Sequence, residues 1–127
     1  KTTQDMIHHL KYAESTDGIH WDCKNIVCIA TTPEHYAFSK PCVLKDGDLY
    51  KMWYSYRGGK YRIGYAESTD GLYWVRKDEL VGLTVAELGW DSDMVCYPCV
   101  FDYKNKRYML YNGNGYGKTG FGLAVLD

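Results

Sequence analysis

Residues 34–56 read EHYAFSKPCVLKDGDLYKMWYSY, and the chain repeats them as DSDMVCYPCVFDYKNKRYMLYNG from Asp91 to Gly113. Pro41 pairs with Pro98, Cys42 with Cys99, Val43 with Val100, Met52 with Met109 and Tyr54 with Tyr111, each pair 57 positions apart without a gap. A second echo interlocks with the first: YAESTDGIHW (Tyr12 to Trp21) returns as YAESTDGLYW (Tyr65 to Trp74), 53 positions later. A period of this length, built from short apolar runs and turn signals, marks a radial or stacked array. Each unit holds about four strands, the content of one propeller blade. The expected fold is all-β: a β-propeller, of which this chain supplies about two and a half four-stranded antiparallel blades.

The strands follow from alternation and turn chemistry. Residues 6–15 read as a strand with Ile7, Leu10 and Tyr12 supplying apolar contacts, and Thr16-Asp17-Gly18 turns it, because Gly accepts positive φ at no steric cost. A return strand is expected over 19–30, ended by Thr31-Thr32-Pro33. The full unit places strands at 36–44, 49–56 and 61–67 and a fourth from near Leu72 through Trp74, with Asp46-Gly47, Gly58-Gly59 and Asp70-Gly71 as turns. Residues 76–90 connect to the last unit, whose strands are expected at 94–103, 107–112 and 120–125. Residues 1–32 are thus the end of one blade, 33–80 a full blade and 90–127 a last blade lacking its outer strand. Open edges invite pairing, so closure is expected from the other chain end, from a second copy (a homo-oligomer) or from a missing N-terminal half of the propeller.

Composition narrows the partners. The net charge of −1 is spread without blocks and gives no footprint for nucleic acid or an anionic membrane surface. No apolar run reaches the ~20 residues of a membrane-spanning helix. No signal peptide is visible and the chain opens on Lys1 rather than Met, which reads as a lost beginning. Five irregularly spaced cysteines favour reduced thiols and a cytoplasmic setting. Cys96-x-x-Cys99 has no second CxxC, and residues three apart on a strand face opposite ways, so both read as packed hydrophobes. No metal site and no cofactor are expected. His8-His9 is an adjacent pair on one strand, and the Gly-rich 112–120 lacks the strand–loop–helix context of a phosphate loop. Thirteen tyrosines and four tryptophans suit both β-structure and sugar-facing surfaces.

The innermost strand of each blade lines the axis, so residues just before it should face the funnel. The 57-residue register superposes Glu34 on Asp91, His35 on Ser92, Tyr36 on Asp93 and Lys40 on Tyr97. Carboxylates converging from different blades are what glycoside cleavage requires, one protonated and one ionised, ~5–5.5 Å apart for retention or ~6.5–9.5 Å for inversion. Glu34, Asp91 and Asp93 are therefore the candidate catalytic set. Trp53, Trp90 and Tyr97 are candidate platforms for a carbohydrate, with His35, Lys40, Arg57, Asn112 and Asn114 as polar contacts. Acids at strand beginnings also serve as turn formers. Glu14 and Glu67 in the duplicated YAES segments, and Trp21 and Trp74 after them, read as structural.

KPCVLKDGDLYKMWYSYRGGKYRIGYAESTDGLYW and GWDSDMVCYPCVFDYKNKRYMLYNGNGYGKTGFGLA resemble the C-terminal part of bacterial glycosidase-like proteins related to family 43 and family 32 glycoside hydrolases. The resemblance covers essentially the whole chain. It implies a five-bladed propeller with a funnel-shaped sugar site and a glycoside hydrolase-like activity. It also implies that the catalytic base belongs to a first blade that this chain lacks, so that the catalytic set is completed by the rest of the ring or by a partner copy. Two alternatives stand beside it: a non-catalytic sugar-binding or assembly module, and a glycoside phosphorylase or transferase using Lys40, Arg57 and Lys60 for phosphate. Ser68 to Trp74 is similar to the Asp-box hairpins of sialidases but lacks a residue between Asp and Gly, and that family is not carried over.

Overall fold

In the computed structural model, which describes residues 6–126, the chain forms three antiparallel sheets and almost no helix. The first holds β1 (Leu10–Lys11) and β2 (Val27–Ile29). The second holds β3 (Ala37–Asp46), β4 (Leu49–Arg57), β5 (Tyr61–Ser68) and β6 (Val75–Arg76), side by side in that order. The third holds β7 (Cys96–Tyr103), β8 (Lys106–Asn112) and β9 (Phe121–Leu126). The strand count per sheet, two then four then three, follows the sequence period.

Strand β4 is buried on both faces, which its composition allows: Met52 and Tyr54 point one way, Trp53 and Ser55 the other. Met52, Tyr54, Phe38 and Ala66 pack against Leu10 and Ile29 of the first sheet. Trp53, Ile63 and Tyr65 pack against Val100, Met109 and Tyr111 of the third and against Val95 just before it. The four-stranded sheet is therefore the middle layer, and β3, β4 and β5 all approach β7. Cys42 fixes one such approach: its thiol donates to the Val100 carbonyl (3.4 Å) and accepts from the Val100 N–H (3.2 Å).

Two expected strands are shorter than their apolar pattern, for one reason. The Asp17 carboxylate accepts the N–H groups of Ile19 and His20 (both 2.8 Å), and Asp70 does the same for Leu72 (2.8 Å) and Tyr73 (2.9 Å). Those amides cannot join a ladder, so the fourth strand begins at Val75, after Trp74, and pairing after Asp17 is limited to an Asp22–Glu14 bridge and β2. Trp74 packs beside the core and donates its indole N–H to Gly71 (3.0 Å), but its counterpart Trp21 is 60 % exposed, and Ile7 is exposed as well. Cys96 is fully buried, which pushes its thiol pKa up to about 11, whereas Cys99 faces outward rather than into the core. All five cysteines are free. None of the helices among the described residues is long and apolar enough to cross a membrane.

Candidate functional site

Both first strands carry the same irregularity. Pairing slips between Ser39 and Cys42 in β3 and between Cys96 and Cys99 in β7, and at each slip a non-glycine residue before the proline takes left-handed φ: Lys40 at 50° and Tyr97 at 58°. These are β-bulges, which re-aim a side chain out of the pleat. The β7 bulge is anchored from the neighbouring sheet, since the Tyr97 N–H donates to Oγ of fully buried Ser55 (2.7 Å).

The re-aimed Tyr97 ring meets Tyr61 at the start of β5 (centroids 6.1 Å) and stacks on Tyr116 (6.3 Å), and Tyr61 meets Tyr116 edge-on (5.8 Å). Tyr116 sits in the tight coil of Asn114–Gly117, where Gly115 and Tyr116 both take φ of 61°; a Cβ at Gly115 would meet only Lys118 side-chain atoms. Arg57, ending β4, lies over Tyr61 (5.9 Å) and Tyr36 (6.0 Å). Four tyrosines and one guanidinium thus share the end of the molecule where β4 leads into β5 and β8 into β9. Burial raises the Tyr97 phenol above its ordinary range, so it stays a neutral hydrogen-bonding group at physiological pH.

The candidate carboxylates do not share a hydrogen bond. Asp91 accepts from the Tyr111 hydroxyl (2.9 Å), and burial together with that bond pushes the Tyr111 pKa up to about 12. Asp93 is exposed and pairs with Lys60 (3.1 Å), while Arg62 donates to its backbone carbonyl (2.9 Å). Glu34 is exposed, and hydrogen bonds from its own backbone N–H and from Thr32 hold its carboxyl below the usual range, the opposite of what a proton donor needs.

The remaining expected contacts divide between site and scaffold. His35 lies on the side facing the first sheet, edge-on to Tyr56 (4.6 Å) and within hydrogen-bond distance of Arg76 (3.2 Å). Arg76 in turn donates to the hydroxyl of buried Tyr54 (3.0 Å) and pairs with Asp78, which also accepts from that hydroxyl (2.6 Å). Trp53 is corrected from platform to core: it is 6 % exposed, with Tyr65 at 5.1 Å and Arg107 at 5.6 Å leaving no ring face open. Trp90 is 39 % exposed and stacks on Tyr111 (5.4 Å), its indole lying where a Cβ on Gly113 or Gly122 would fall at 2.5 Å. Asn114 spends its amide on the loop before β7, accepting from Asp93 (2.8 Å) and Met94 (3.1 Å) and donating to Gly89 (3.0 Å). Asn112 donates to the Tyr116 carbonyl (3.1 Å) and so holds the coil that presents that ring. Lys40 is exposed at its bulge.

Tyr36, Tyr61 and Tyr116 were not among the expected contacts. The signal that could have found them is their position, each at a strand start or in a Gly-rich turn at the same end as the bulges. Two clefts of ≈ 180 Å³ and ≈ 390 Å³ lie between neighbouring sheets, and none of the three candidate carboxylates lines either. The tyrosine cluster likewise lines neither cleft.

No family model matches the chain. It is 48 % identical over 126 residues to the uncharacterized protein MT1551 of Mycobacterium tuberculosis (strain CDC 1551 / Oshkosh), and equally to the uncharacterized protein Rv1502 of strain ATCC 25618 / H37Rv. In each case the match takes in 98 % of this chain but 42 % of the relative, so the chain spans less than half the length of those proteins. Two solved structures, one titled a glycoside hydrolase and the other a BT0996 RGII complex, superpose on 91 % of the chain with a TM-score of 0.64. Their sequence identity is 22 % and the match covers 34 % of each, so the likeness is one of fold.

Proposed function

We propose that this chain is an arc of a glycoside hydrolase-like β-propeller, of the five-bladed kind related to families 43 and 32, and that the tyrosine cluster forms part of its sugar site. The observation that carries the reading is the gathering of Tyr36, Tyr61, Tyr97 and Tyr116 around Arg57 beside a strained bulge. Tyrosine offers an apolar face for a pyranose and a hydroxyl for its polar rim, and bulges recur beside binding sites. The likeness to a structure titled a glycoside hydrolase supports the same direction.

In this reading Asp91 and Asp93 are the acids this chain brings to the site, and Glu34 is a more distant candidate. Asp91 is the better placed of the two: its one hydrogen-bond partner is a neutral phenol, whereas Asp93 is neutralised by Lys60. Hydrolysis then requires a second carboxyl from outside this chain. A non-catalytic sugar-binding module is the alternative, favoured by the ion-paired state of Asp93 and the depressed Glu34.

A glycan array of the chain, followed by turnover of model glycosides, tests this. Binding in the mM range is expected, weakened about tenfold or more by Tyr97→Ala. Asp91→Asn in a chain of the relatives' full length should lower turnover by ~10²-fold or more while leaving binding intact. Binding without turnover selects the module reading; no glycan bound by either chain rejects both.

A further inference from the structure

Three of the four arginines have acceptors for their guanidinium groups. Arg62 donates to the carbonyls of Tyr61 (2.8 Å) and Asp93 (2.9 Å), Arg76 pairs with Asp78, and Arg107 holds Asp46 and Asp102 (both 2.8 Å). Arg57 is the exception. Among the described residues it has no hydrogen-bond or ion-pair partner, and only the rings of Tyr61 (5.9 Å) and Tyr36 (6.0 Å) flank it. Its N–H groups are not sealed in, since the one buried side-chain polar atom without a partner among the described residues is Oγ of Ser39. By alternation Arg57 continues the side of β4 that carries Trp53 and Ser55 and faces the third sheet, and it pairs across to Tyr61. The space it faces is therefore bounded by two sheets that this chain itself supplies. The candidate acids are engaged elsewhere: Asp93 pairs with Lys60 (3.1 Å), Asp91 accepts from Tyr111 (2.9 Å), and Glu34 is held by its own N–H and by Thr32.

We infer that Arg57 receives the carboxylate of an acidic sugar, so that the saccharide held at the tyrosine cluster is a uronic acid rather than a neutral pyranose. This deepens the sugar reading and rests on it. The planar guanidinium fork matches a carboxylate through two parallel hydrogen bonds, a geometry that a neutral hydroxyl does not offer. A uronic acid carries its carboxylate on the carbon beside the ring oxygen, so one residue presents an apolar ring face and an anion side by side. The tyrosines take the first and Arg57 the second. Charge separates a carboxylate from a phosphate. A phosphate monoester carries about −1.5 to −2 at neutral pH, and at this end Lys60 is committed to Asp93 and Arg62 to backbone carbonyls. That leaves the single fork of Arg57 against the rings, a match for one negative charge.

Calorimetric titration of the 127-residue chain with methyl glucuronide and methyl galacturonide, beside methyl glucoside, methyl galactoside and glucose phosphate, tests it. At least one uronide should bind about tenfold or more tighter than its neutral counterpart. Arg57→Gln should erase that preference and leave the neutral sugar's affinity as it was, with near-ultraviolet circular dichroism as the check on folding. Lys45→Gln, toward the other end of β3, should leave the preference intact. In the parent chain, raising salt to about 0.5 M should weaken the uronide and spare the neutral sugar, a readout that needs no variant. Acidic and neutral sugars bound alike, a preference that survives Arg57→Gln, or glucose phosphate bound tighter than either uronide overturns the inference and leaves the sugar reading in place. Neutral glycans bound on the array with no uronide bound in the titration does the same, whereas no glycan bound in either experiment rejects the sugar reading and this inference together.

Discussion

Arg107 ties the outer ends of the two larger sheets. Its guanidinium donates two hydrogen bonds to Asp46 of β3 (2.9 and 2.8 Å) and two to Asp102 of β7 (both 2.8 Å), with its flat face over Trp53. Removing it leaves Asp46 with Lys51 alone and opens the Trp53 face, so Arg107→Met should cost about 2 kcal/mol of stability, read from urea midpoints. The same contact sets a pH dependence. Hydrogen bonds from Arg107 and then Lys51 hold the Asp46 carboxyl well below its ordinary range. A carboxylate lowered on folding stabilises the protein above its unfolded pKa of ~3.9, and that contribution drains away as pH falls through the lowered value. The urea midpoint should therefore drop below about pH 4, and Asp46→Asn should flatten that drop; an unchanged slope would remove Asp46 from the account. Little of this was legible beforehand. The repeat aligns Cys42 with Cys99 and reveals equivalent positions, but Arg107 and Asp46 are 61 apart and occupy no equivalent pair. The acids were legible as acids; that Lys60 would claim Asp93 and Tyr111 would hold Asp91 was not, because both contacts depend on how loops close across sheets.

At the scale of elements, the bulges join fold to site. The Tyr97 N–H reaches Ser55 on another sheet, so Ser55→Ala strands a buried donor and should cost ~1–3 kcal/mol while also loosening the Tyr97 ring. Its signature would be weaker glycan binding alongside the lower stability; lost stability with binding intact would make the bulge scaffold only. Lys40→Gly removes a left-handed non-glycine residue and should be neutral or stabilising by up to about 1 kcal/mol in thermal unfolding. Gly64 behaves the other way. A Cβ there would fall 2.5 Å from the Tyr54 ring and 2.7 Å from Asp78 Oδ1, so Gly64→Ala should destabilise by ~2 kcal/mol or more. Alternation and turn residues gave the strand order and all three turns of the full unit, since period 2 and the Asp-Gly and Gly-Gly pairs are local properties. Strand ends were less legible where Asp17 and Asp70 captured the following amides, and the bulges left no mark in the alternation at all.

For the whole molecule, the repeat placed three sheets in sequence and the packing of two clusters on opposite faces of β4 follows it. The sequence could not show which aromatic residues would stay open. Trp53 and Tyr97 look alike as candidates, yet one fills the space between sheets and the other is turned out by its bulge. The turned-out tyrosines are proposed to hold sugar. The most direct measurement is an NMR titration of the chain with the glycan that binds best on the array, following the amide and ring signals of Tyr36, Tyr61, Tyr97 and Tyr116. Saturable shifts concentrated on those residues and Arg57, and lost in Tyr97→Ala, are the predicted result. Shifts confined to the clefts between sheets, or none at any sugar concentration, would contradict it.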